Sequence, residues 1–177
     1  LLFLVELMCP HIRNTFETNF VKKKLSPTSK NIILDIGCGT GHHVGNLSNN
    51  TNTSIIGIDN SSDMIEQSRK NYPNLKFELK DAIDNNSFFM NSFTHILSFY
   101  FTIYYFENKE QFFINCIKWL KPGGYLIVHL VDKQNFDPIV PSGNPLYVVD
   151  AQKYAPKRIT KSKVTFNNFI YESNFKT

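Results

Sequence analysis

The sequence predicts a doubly wound α/β domain, a mostly parallel sheet flanked by helices. Three observations predict it. Short β-branched runs recur along the chain, with helical stretches between most of them. The first run, Ile32–Ile36, opens into a loop with glycine at every second position: Gly37, Gly39 and Gly41. Acids then close the next two runs, Asp59 and Asp81, at the strand ends where such sheets bind ligands.

A chain of 177 residues is long enough for one domain with a real core. Hydrophobic residues make up 42% and charged ones 19%, the balance of a soluble globular protein. With 16 Phe and 8 Tyr, the core or a pocket should be aromatic-rich. The net charge of +4 permits an acidic partner without requiring one. Cys9, Cys38 and Cys116 form no paired framework, which fits a reducing, cytoplasmic setting. The five His and three Cys show no metal-ligand spacing, so no metal is expected. Residues 1–9 are apolar but too short to span a bilayer, and no membrane association is expected. The first residue is Leu rather than Met, as expected of a fragment or a processed form.

In order, residues 1–30 read as an N-terminal helical cap, with Ile12, Phe16 and Phe20 on one face and Lys22, Lys23 and Lys24 at its end. Residues 31–132 read as the ligand-binding core. A short helix over 42–47 follows the glycine loop, and strand two, 54–58, closes on Asp59. Asn60 is placed to cap the next helix, with Asp63 in its first turn. Strand three covers 75–79, ahead of Asp81 and Ala82. Strand four covers 95–99, and the aromatic stretch 101–106 reads as a loop or turn at that strand's end. Over 109–120 an amphipathic helix should turn Phe112, Phe113, Cys116, Ile117 and Leu120 inward. The turn at 121–124 leads to strand five, 125–130. Residues 133–177 change character, with Pro138, Pro141 and Pro145 followed by a candidate hairpin at 164–171.

An acid after strand two suits ribose hydroxyls in more than one nucleotide fold, so Asp59 alone selects no cofactor. The spacing adds more. Asp35-x-Gly37-x-Gly39-x-Gly41, then Gly57-Ile58-Asp59, then Asp63-Met64-Ile65, Asp81-Ala82 and Leu120-Lys121-Pro122-Gly123-Gly124 occur in this order. The series resembles the class I S-adenosylmethionine-dependent methyltransferases over about residues 31–131. That resemblance implies a Rossmann-like sheet, S-adenosyl-L-methionine as cofactor and methyl transfer as activity. It implies that Gly37, Cys38, Gly39 and Gly41 pack on the methionine and ribose portion, and that Asp35 orients the loop or the amino group. Asp59, with Asn60 beside it, would hold the ribose, Met64 would lie on the adenine face, and Asp81 and Ala82 would meet its edge. Ser98 and Phe99 would flank the methionine end. It also implies final strands for which too little chain follows Val131, so a short sheet or a missing C-terminus is expected, with 133–177 as an acceptor-side flap.

Each of these residues also has a purely structural reading: a tight turn, a helix cap, a core methionine, a solvated acid. His42 and His43 read as surface or packing residues, and His95 and His129 as core or edge residues. The basic run Lys153, Lys157, Arg158, Lys161 and Lys163 reads as a solvated face, and nucleic acid is not an expected partner.

Methyl transfer needs alignment and exclusion of water more than an acid or base, so the acceptor leaves little trace. The stretch after strand four lacks the Pro-Pro run of base-amine enzymes and the Pro-Cys of cytosine-C5 enzymes, and no acid cluster for a catechol-type metal is evident. An aromatic wall over 99–106 suits a small, partly apolar acceptor, with Tyr104 and Tyr105 as weak catalytic candidates. Two alternatives stand at this stage: a cofactor-binding but inactive domain, and an NAD(P)-dependent oxidoreductase.

Overall fold

The computed structural model describes residues 10–49, 53–130, 160–165 and 170–174. Its elements run α1 (Pro10–Leu25), β1 (Ile32–Ile36), α2 (His42–Ser48), β2 (Ser54–Asp59), α3 (Ser62–Asn71), β3 (Lys76–Leu79) and β4 (Phe93–Ser98). A 3-10 turn (Thr102–Tyr105), α4 (Lys109–Trp119), β5 (Leu120–Val128), β6 (Lys161–Thr165) and β7 (Ile170–Asn174) follow. The backbone contacts divide into two units, Leu1–Leu130 and Val131–Thr177.

In the first unit every pairing is parallel and the strand order is β3-β2-β1-β4-β5. The order reverses beside β1, between β1 and β4, which is the place where a doubly wound sheet opens a crevice. The central strands are apolar because both faces are covered. Ile33 and Leu97 face one cluster with Val21, Val44 and Phe99, while Leu34, Ile36 and Ile96 face the other with Phe112 and Trp119. Among the described residues this sheet ends at β5. The turn at 121–124 lies inside β5 as a wide irregularity: Phe93 pairs with Leu120, and His95 already pairs with Tyr125.

In two helices apolar residues expected on the inward face are exposed. Among the described side chains of α1 the buried ones are Glu17, Thr18 and Val21, and Phe20 is 44% exposed. In α4 they are Phe112, Asn115, Cys116 and Trp119, while Phe113 and Ile117 are exposed. The stripe 112, 115, 116, 119 keeps helical spacing, with a polar residue in the middle of it. Asn115 is tolerated there because its Nδ2 donates to the carbonyls of Ala82 at 2.8 Å and Ile83 at 2.9 Å. Asn60 does not cap α3. Ser61 does, its hydroxyl accepting from the Met64 amide. The stretch 101–106 contains the 3-10 turn, in keeping with the loop or turn expected after strand four.

Helix α1 crosses to α2 and holds its carbonyl end. Nζ of Lys22 donates to the carbonyl oxygens of Asn46 at 2.7 Å and Asn49 at 3.2 Å, where the unpaired carbonyls and the helix dipole favour a cation.

In the second unit β6 and β7 form the expected hairpin, antiparallel, with Thr165 opposite Ile170 and Val164 opposite Tyr171. Lys163 and Glu172 pair across it at 2.7 Å. The apolar segment 1–9, the three prolines and Lys153, Lys157 and Arg158 lie outside the described residues.

Candidate functional site

The glycine loop leaves β1 with φ +72° at Gly37 and +52° at Gly39. A Cβ on Gly37 would run into the Thr102 side chain, so the loop packs directly on the 3-10 turn. A Cβ on Gly39 would meet nothing within 4 Å, which leaves the backbone bare toward open space. The loop amides are turned inward. Gly37 and Cys38 both donate to the carbonyl of Ile58, Gly41 donates to Cys38, and Gly39 donates to Oδ2 of Asp59 at 3.0 Å. A pyrophosphate cradle needs such amides aimed at the ligand, and these four are engaged within the chain.

Asp59, at the end of β2, also accepts from the Ser61 amide on Oδ1 at 2.9 Å. Each carboxylate oxygen thus has one backbone donor and retains acceptor capacity. After β3, Asp81 folds its own turn: Oδ1 accepts from the Ile83 amide and its carbonyl from the Ser87 hydroxyl. Asn115 holds this turn from behind through Ala82 and Ile83.

These elements surround a cavity of about 580 Å³, within the range of small-molecule sites. Of the residues singled out from sequence, Gly37, Cys38, Gly39, Asp59, Asn60, Met64, Asp81, Ala82 and Tyr105 line it. Asp35, Gly41, Ser98, Phe99 and Tyr104 do not. Asp35, Ser98 and Phe99 are buried behind the wall, and Gly41 packs against Phe77. Tyr100 and Phe106 of the expected aromatic wall also line it, while sequence reasoning missed His42, His43 and Thr102 as lining residues. It also missed Asn115, whose only signal is an amide on the inward stripe of α4.

Behind the loop lies a buried polar group. Asp35 is 1% exposed and its Oδ2 has no hydrogen-bond partner. Burial raises its carboxyl to about 6, opposed by nearby His43 and reinforced by Asp59 and Glu17. Burial also pushes the Cys38 thiol up, away from the thiolate form. His95 is buried on β4 between β1 and β5, stacked on Tyr125, and burial holds its imidazole below the usual range. Among the described residues no cluster of His, Cys, Asp or Glu is arranged for a metal.

Residues 33–124, more than half of the chain, match a family described as a methyltransferase domain. The chain belongs to the class I S-adenosylmethionine-dependent methyltransferase family. The chain is 28% identical over 139 residues to a demethylmenaquinone methyltransferase of Chlorobaculum tepidum, covering 77% of this chain and 54% of that protein. It is 33% identical to phosphoethanolamine N-methyltransferase 3 of Arabidopsis thaliana over 59% of this chain and 21% of that one. The chain therefore spans about half or less of the length of these curated relatives. Among solved structures it resembles the PH0226 protein of Pyrococcus horikoshii OT3, with TM-score 0.63, 25% identity and coverage of 75% and 63%. A TehB-like SAM-dependent methyltransferase of Corynebacterium glutamicum shares the fold at TM-score 0.55 and 21% identity, covering 62% and 60%. The site fits the family's cofactor on its own chemistry. A bare Gly39 backbone, a carboxylate on the cavity wall and loop amides already engaged within the chain suit a nucleoside without a pyrophosphate better than a dinucleotide.

Proposed function

We propose that this methyltransferase binds S-adenosyl-L-methionine in the cavity at the ends of β1, β2 and β3 and passes its methyl group to a small molecule. The observation that carries the reading is Asp59, fixed by the amides of Gly39 and Ser61 on the cavity wall with acceptor capacity to spare. In this reading Asp59 and Asn60 hold the ribose. Met64 packs on the adenine, and Asp81 and Ala82 meet its edge. Gly37, Cys38 and Gly39 line the methionine portion. Asp35 and Ser98 supply polarity from behind the wall, Phe99 packs there, and Gly41 keeps β1 close to α3.

The sulfonium supplies an already activated leaving group. The chain's own task is to align the acceptor and exclude water. Tyr100, Tyr105 and Phe106 line the cavity's aromatic side and suit a partly apolar acceptor, with the Tyr105 hydroxyl as a hydrogen-bonding candidate. The two named relatives act on chemically different acceptors, a quinone and a phosphorylated amine by their names, and the reading commits to neither. No helix among the described residues is long and apolar enough to cross a membrane. Buried unpaired thiols at Cys38 and Cys116 support a cytoplasmic setting.

The test is a titration of S-adenosylhomocysteine and NADH, followed by thermal stability, since a ligand selective for the folded state raises it. Stabilisation by the first and not the second is expected. Asp59→Ala should weaken the S-adenosylhomocysteine complex by about 1.5–3 kcal/mol. Stabilisation by NADH alone would overturn the reading, and binding without turnover over a broad acceptor panel would favour an inactive cofactor-binding domain.

A further inference from the structure

One polar cluster is not accounted for by cofactor contacts. Glu17 of α1 is 7% exposed. Its Oε2 is 2.8 Å from Nε2 of His43, on the first turn of α2. Its Oε1 is 2.7 Å from Nδ1 of His129, just past β5, a contact that lacks the alignment of a hydrogen bond and leaves both atoms without a partner. A buried carboxylate needs charged or donating neighbours, and here two imidazoles from separate elements supply them. Each ring is wedged in turn. His43 lies 5.0 Å from the Phe99 ring, and His129 lies 4.9 Å from the Phe101 ring with its amide bonded to the Ser98 carbonyl.

The cluster touches the cavity at one point, because His43 lines it. The charged group coupled to it is Asp35 on β1, on which Asp59 at the end of β2 also acts, and α1 carries Lys22 further along. Lys22 is occupied with the carbonyl end of α2. Asp35 feels both Glu17 and His43. A single carboxylate therefore connects the N-terminal helix, the wall of the cavity and the end of the last parallel strand.

We propose that Glu17 is a positioning residue for the cofactor: by bridging His43 and His129 it fixes the cavity wall and draws α1 down over the glycine loop. This rests on the reading of the cavity as the S-adenosylmethionine site. The bridge needs both the charge and the length of a glutamate. Glu17→Gln keeps the length and removes the charge. Glu17→Asp keeps the charge and is one methylene short of spanning both rings. His129→Phe keeps a ring against Phe101 and breaks one side of the bridge.

The experiment uses the full chain, S-adenosylhomocysteine as the probe in calorimetry, and nitrogen-15 spectra of the histidine rings. Glu17→Gln and Glu17→Asp should each bind roughly tenfold more weakly, the scale of one charge-assisted hydrogen bond. The ring-nitrogen shifts of both His43 and His129 should move in Glu17→Gln, and those of His43 should move in His129→Phe. Should the Glu17 variants not fold, the His129→Phe spectrum decides alone. Unchanged affinity in folded Glu17 variants, or a His43 ring indifferent to His129→Phe, would overturn the bridge while leaving the cofactor reading intact. A wild-type chain that does not bind the probe would overturn both.

Discussion

Asp35→Asn should make the protein more stable and a poorer binder of its cofactor. The carboxyl is buried, Oδ2 is unpartnered, and burial is the largest cause of its rise from 3.8 to about 6. Because the folded value lies above the unfolded one, the native state holds its proton more tightly. Stability from this group is greatest below about pH 4, falls as pH rises through the interval from 4 to 6, and is level above it. At about 1.36 kcal/mol per unit, ionised Asp35 costs the fold about 3 kcal/mol at pH 7.5. An asparagine is neutral throughout, so the variant lacks this fall. We expect it to gain about 1–3 kcal/mol over wild type at pH 7.5 and little at pH 4.5, the lower figure allowing for an amide short of partners. Urea unfolding of both proteins at the two pH values measures the difference directly, since groups common to both cancel. S-adenosylhomocysteine should bind the variant several-fold more weakly. A stability difference that is the same at both pH values, or a variant less stable at pH 7.5, would refute the reasoning.

Asn115→Leu should cost about 2–4 kcal/mol, because a buried carbonyl and a partly buried one lose their donor; an unchanged urea midpoint would place the support of the Asp81 turn elsewhere. Gly37→Ala should cost at least about 2 kcal/mol, from the left-handed backbone and the encounter with Thr102. Adding Thr102→Ala should recover part of that loss in thermal melts, and no recovery would mean the backbone term acts alone.

The sheet was legible because its signals are local. β-branched runs, the glycine spacing and the proline and glycine stops each lie within a few residues, and the parallel order follows from helices placed between strands. The cavity-lining acids were legible for the same reason, since Asp59 and Asp81 follow strands that can be recognised. What stayed hidden depends on partners far along the chain. Glu17 and Asn115 sit on inward faces of helices, where local pattern reading prefers Phe20 or Ile117. Their burial is paid for by His43, His129 and the carbonyls of Ala82 and Ile83, none of them nearby in sequence. The inward turn of the loop amides was equally invisible, because it is decided by the carbonyl of Ile58 on the neighbouring strand.

The grip of Lys22 on Asn46 and Asn49 has a practical consequence. Helix α2 has seven residues, too few to persist alone in water, and its first turn forms one side of the cavity. Its far end is finished by an ammonium borrowed from α1. The described helix Pro10–Leu25 thus supports one side of the cavity. A protein started at β1 would carry every cofactor-contacting residue proposed above and still present a frayed, poorly shaped pocket, and weak binding by such a shortened protein would say nothing about the residues themselves.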